Sequence, residues 1–144
     1  MKRKILLACL LGAALAAPAM AAGEAERMVA TVDIGEQVMI LTGAGEHPVR
    51  WAASTGRPGR PTPTGYFGVE GLQEFYRSPR YHGVTIPYVI SFGGPYSISA
   101  THKPERLGTP ISHGGVLLAE ENARALFGLV RERGRDALTI VVRE

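Results

Sequence analysis

From Glu26 to Val84 glycine or proline interrupts the chain every few residues, and the apolar positions between the breaks tend to alternate with polar ones. A helix needs an apolar stripe with a period of about 3.6 residues, whereas a period of two marks a strand with one buried face. The spacing therefore predicts short antiparallel strands joined by turns. MVATVDI (28–34) and QVMIL (37–41) flank Gly35 and Glu36 as a first hairpin, and TGAGEHP (42–48) turns the chain toward VRWAAS (49–54). After the loop TGRPGRPTPTG (55–65) come YFGVEGL (66–72), VTIPYVISF (84–92), a short piece at YSIS (96–99) and a closing strand, ALTIVV (137–142). Trp51, Tyr66, Phe67 and Tyr88 lie on these strands and are expected in the core.

One segment follows the other period. Between Glu120 and Arg133, the residues Ala123, Leu126, Phe127 and Val130 recur at i, i+3, i+4 and i+7 and form one apolar face. Glu120 and Glu121 at its start and Arg131 and Arg133 at its end suit the helix dipole, and Gly134 is placed to end it. The chain reads as one mainly β domain with a single packed helix.

At the N-terminus Lys2, Arg3 and Lys4 precede an apolar run from Ile5 to Ala17, followed by Pro18 and Ala19-Met20-Ala21. This is the pattern of a secretory signal peptide over residues 1–21, leaving a domain over 22–144. The run is shorter than the roughly 20 residues of a membrane span, so an exported protein without a membrane span is expected. A rival reading acylates Cys9 as a lipoprotein, but only Ile5 to Ala8 separate Lys4 from Cys9, against about seven apolar residues for a normal signal core. If the signal leaves with Cys9, the one cysteine of the chain, then disulfides, thiolate metal sites and cysteine nucleophiles go together. Loss of Lys2, Arg3 and Lys4 leaves 13 basic residues against 13 acidic ones. A near-neutral domain carries no charge signal for nucleic acid.

ISHGGVLL (111–118) sets a histidine against two glycines, in the kind of loop that carries a nucleophile, yet supplies none. His82 and His102 lie in other loops, and their wide spacing from His113 shows no metal-ligand motif. No metal or cofactor is expected.

STGRPGRPTPTGYF (54–67), IPYVISF (86–92), LGTPISHGG (107–115), EENARALFGLV (120–130) and TIVV (139–142), in that order and spacing, resemble the L,D-transpeptidase catalytic domain. The resemblance covers nearly the whole mature chain. It implies a β-sandwich of mixed sheets with one packed helix, and exported bacterial enzymes that cross-link peptidoglycan stem peptides through a cysteine acyl-enzyme. The family's Ser-His-Gly-Cys-x-Arg loop falls on Ser112, His113, Gly114, Gly115, Val116 and Leu117. The nucleophile position is thus Gly115 and the arginine position Leu117. The base histidine, in a stretch like Ile-His-Gly-Thr, falls on Ser99 within Ile98-Ser99-Ala100-Thr101.

Acyl transfer by this route needs a thiolate and a neighbouring base, and both positions are changed. The resemblance therefore implies a vestigial site at Ser99, Ser112, His113, Gly114, Gly115 and Leu117, and a protein that binds stem peptides or an envelope enzyme. Ligand contacts are expected from His113, Gly114, Gly115, Ser99, Arg57 and Arg60. His113 is expected to hydrogen-bond within its loop, and Gly114-Gly115 to need positive φ or close approach, the bare position 115 leaving room for a ligand. The alternative is an active envelope acyl transferase or hydrolase that pairs Ser99 with His113. Ser112 does not serve there, because neighbouring side chains in an extended segment point apart.

Overall fold

The protein is described by a computed structural model over residues 27–144, so the segment read as a signal peptide, Cys9 included, lies outside the described residues. In chain order the elements are β1 (Met28–Asp33), β2 (Val38–Thr42), β3 (Val49–Ser54), β4 (Gly65–Gly68), β5 (Gly71–Ser78), β6 (Val84–Phe92), β7 (Tyr96–Ala100), β8 (Val116–Leu118), α1 (Glu120–Arg133) and β9 (Leu138–Arg143). The strands form one mixed sheet in the order β4-β9-β1-β2-β3-β8-β7-β6-β5.

The first hairpin forms as the turn residues dictate, with Val29 opposite Thr42 and Asp33 opposite Val38. Strand β3 joins the two halves of the sheet. Its residues 49–52 pair with β2, and Ala53 and Ser54 pair with Leu118 and Leu117 of β8. The expected sandwich is therefore a single sheet that curls so that its ends share a core. Phe67 of β4 lies 5.3 Å from Phe92 of β6, ring centre to ring centre, although the two strands are remote in the sheet order.

Helix α1 has the predicted bounds, and the predicted face of Ala123, Leu126, Phe127 and Val130 is the buried one. It packs on β6 and β7, with Tyr88 and Phe127 5.8 Å apart edge to face. The core gathers Met28, Val32, Met39, Leu41, Phe92, Ile98, Leu118 and Ile140 around it. Each such side chain contributes about 1.5–3 kcal/mol when fully buried.

Two of the pairings, β1 with β9 and β7 with β8, are parallel, as the expected mixed sheets require. Three expectations are corrected. YFGVEGL splits into β4 and the start of β5, and β5 runs on to Ser78 through a stretch that shows no alternation, because its middle is exposed throughout. Val116–Leu118, read as loop, is a strand. Tyr66 leaves the core: on the edge strand β4 it is 81% exposed, while Trp51, Phe67 and Tyr88 pack against the core as expected.

Candidate functional site

The parallel pairing of β7 and β8 builds the site. It sets Ser99 directly opposite Leu117, and the connection between the two strands returns the chain through residues 111–115. Ser112 is stitched to the loop after β3: its N–H donates to the Thr55 carbonyl at 3.0 Å, and its carbonyl accepts from Arg57 N–H at 3.0 Å. A buried pair anchors that loop in turn. Gln37 Nε2 donates to Thr55 Oγ1 at 2.6 Å, and Thr55 N–H donates to Gln37 Oε1 at 2.9 Å.

Within the site loop the organiser is Ser112, not His113. Ser112 Oγ donates to the Gly115 carbonyl at 2.5 Å and accepts from Gly114 N–H at 3.0 Å. The two glycines are required for different reasons. Gly114 has φ +117°, and a Cβ there would come within 2.9 Å of the Tyr96 ring. Gly115 has no such backbone, but a Cβ there would lie 2.7 Å from the carbonyl oxygen of Ser97. The backbone of β7 thus bounds position 115 on one side, while Gly115 stays on the wall of a cavity.

His113 reaches outward instead. It stacks on Tyr81 with ring centres 5.2 Å apart and planes 20° from parallel, and its Nδ1 is hydrogen-bonded to the Tyr81 hydroxyl. Tyr81 ends a short 3-10 turn, Pro79–Tyr81, that follows β5. Burial lowers the pKa of His113 below the ordinary value, and the positive charges of Arg57, Arg60 and Arg80 lower it further. The imidazole is then neutral near pH 7, the form in which Nδ1 can accept a hydrogen bond from the Tyr81 hydroxyl.

His113, Ser99, Ser112, Gly115 and Leu117 line one cavity of about 670 Å³, with Arg60 also on its wall. Arg57 is exposed beside it, on the loop that Arg57 N–H ties to Ser112. Ser99, 4% exposed, also lines an adjoining cavity of about 370 Å³, together with His113 and Leu117. The Ser99 and His113 of the alternative reading therefore share a cavity, while Tyr81 holds His113 Nδ1. Sequence reasoning missed Tyr81, Arg80, Tyr76 and Tyr96 on the cavity wall. Only the aromatic and basic character of FYRSPRY (75–81) marked the first three, and nothing local said which face it would meet; Tyr96 lay on the predicted strand at 96–99 with no sign that it faces a cavity.

His102 turns away, its Nε2 against the Thr85 carbonyl at 3.1 Å, and among the described residues no three His, Cys, Asp or Glu side chains are grouped to hold a metal. No described helix is long and apolar enough to cross a membrane.

A curled mixed sheet with one packed helix and a Ser-His-Gly loop over a cavity defines an L,D-transpeptidase-like domain. The chain belongs to the YkuD family, the L,D-transpeptidase catalytic domain, whose model matches residues 27–142. That membership ties the fold to peptidoglycan metabolism. Among solved structures the chain is similar to an L,D-transpeptidase from Mycobacterium smegmatis, at 20% identity and TM-score 0.70, covering 82% of this chain and 59% of that one. It is similar to an L,D-transpeptidase from Stackebrandtia nassauensis at 22% identity and TM-score 0.65, covering 82% of this chain and 56% of that one. L,D-transpeptidase 3 from Mycobacterium tuberculosis, solved with a faropenem-derived adduct, is similar at 18% identity and TM-score 0.65, covering 81% of this chain and 60% of that one. At these identities the likeness is one of fold, and the chain spans less than two thirds of those solved chains. Among curated proteins no sequence matches.

Proposed function

We propose that this chain is an exported, periplasmic or cell-wall-facing L,D-transpeptidase-fold protein without acyl-transfer chemistry, which acts by binding peptidoglycan stem peptides or an envelope enzyme that handles them. The observation that carries this reading is at Gly115. The position onto which the resemblance lays the family's nucleophile has no side chain, and the Ser97 carbonyl lies 2.7 Å from where a Cβ would stand. Loss of one member of a nucleophile and base unit typically costs several orders of magnitude in rate; here the base position holds Ser99 as well. A cavity of about 670 Å³ lies over those positions, which is a size that suits a small ligand.

The test is an assay of the purified chain with a tetrapeptide donor and an acyl acceptor, beside a retention assay on isolated sacculi. The expected result is retention without turnover. Turnover of the donor, or labelling by a serine-directed phosphonate that disappears in Ser99→Ala, overturns the reading in favour of an enzyme that uses Ser99 and His113. Absence of retention removes the stem peptide as ligand and leaves the envelope partner.

A further inference from the structure

Arg57, Arg60 and Arg80 come from two separate loops, one after β3 that Arg57 N–H ties to the Ser112 carbonyl and one after β5 that meets His113 through the Tyr81 hydroxyl. Arg60 and Arg80 line the larger cavity. Neither cavity has an aspartate or glutamate on its wall, and the smaller one adds Lys103. At the rim the Glu70 carboxylate accepts from Gly94 N–H at 3.1 Å. Among the described residues Arg50, Arg124, Arg131 and Arg143 are in ion pairs with carboxylates, and Arg57, Arg60 and Arg80 are not.

The backbone that presents two of these arginines is pinned. Gly56 N–H donates to Thr62 Oγ1 at 2.9 Å, and Arg60 N–H donates to the Arg57 carbonyl at 2.9 Å. The loop folds so closely over Gly56 that a Cβ there would lie 1.9 Å from the Arg60 carbonyl oxygen. A guanidinium fork on a fixed loop matches a carboxylate in two parallel hydrogen bonds, and little order is lost on binding. Like charges converging on one cavity repel one another, and an anion is what relieves them.

We infer that Arg57, Arg60 and Arg80 form a carboxylate-binding subsite at the mouth of the cavity, which holds an acidic peptide by its free carboxylates. The inference rests on the binding reading above and names the chemistry that the site selects. The three side chains act on the ligand from the rim, while Tyr81 and His113 offer a stacked, neutral wall between the two cavities.

The experiment is a calorimetric titration of the purified chain with a synthetic tetrapeptide carrying two free carboxylates, repeated with the same peptide amidated at both. Binding of the acid, weaker by tenfold or more for the amide, is expected on the order of magnitude that several exposed charge pairs supply together. Single changes Arg57→Gln, Arg60→Gln and Arg80→Gln each weaken binding about two- to fivefold, and the triple change brings the acid down to the amide. All three positions are exposed, so melting of the triple variant stays at the wild-type temperature and separates lost contact from lost fold. Equal binding of acid and amide, undiminished binding by the triple variant, no binding of the acid by wild type, or displacement of the peptide by equimolar inorganic phosphate overturns the subsite. Retention on sacculi distinguishes the two failures: a triple variant that is retained like wild type ends the arginine subsite but leaves the stem-peptide reading standing, whereas wild type that is not retained ends the stem-peptide reading itself.

Discussion

Ser112 shows how much one hydroxyl can organise. It is almost fully buried and serves as donor to Gly115 and acceptor for Gly114. Ser112→Ala leaves both backbone groups short of a partner, and a loss of about 1–3 kcal/mol in urea denaturation is expected. Gly115→Cys meets the Ser97 carbonyl and forces β7 or β8 to shift. It is expected to destabilise by about 1–3 kcal/mol and, with Ser99 at the base position, to show no acyl adduct with a tetrapeptide donor by mass spectrometry. His113 gives a pH signature. Its folded pKa is lowered from 6.5, first by burial and then by Arg57, Arg60 and Arg80, so below 6.5 the unfolded chain binds the proton better. Stability is therefore full above that value and falls as the pH drops from it through the lower folded value. The urea midpoint, followed downward from neutral pH, checks this, and His113→Gln is expected to flatten the fall. The residues of the loop were legible in the motif. Their partners Tyr81 and Ser97 were not, because neither contact is local in the chain.

Helix α1 was readable to its bounds because its period, its end charges and Gly134 all agree. Leu126 is fully buried on the predicted face, and Leu126→Ala is expected to cost about 2–5 kcal/mol, read as a lowered denaturation midpoint with the slope unchanged. The strands were readable in proportion to their burial contrast. β1 and β2 alternate cleanly between buried and half-buried positions. β5 is an edge strand with an exposed run in its middle, so it carries no alternation, and β8 is only three residues long. Tyr66 marks the same limit: an aromatic on a strand was assigned to the core, but β4 is the other edge of the sheet, and the side chain stands in solvent.

The last strand lies inside the sheet. β9 lies between β4 and β1, parallel to β1 over Leu138–Arg143, so the sheet cannot close until the end of the chain arrives. Removing residues 138–144 takes Leu138, Ile140 and Val142 from the core, leaves β4 without its partner and leaves β1 paired with β2 alone. Such a truncation is expected to abolish the cooperative thermal transition, as followed by circular dichroism. The amino-acid sequence by itself determined the kind of each strongly patterned element and the Ser-His-Gly motif, with Gly115 and Ser99 where the resemblance lays a thiol and a base, since periodicity and side-chain chemistry are properties of a few neighbouring residues. Only the tertiary structure decided that the Ser97 carbonyl crowds Gly115, that Tyr81 covers His113, and that Arg60 and Arg80, from two loops, line one cavity with Arg57 beside it. Those facts follow from the pairing of β7 with β8 and from the packing of distant loops, and long-range pairing is set by how the whole core is buried together.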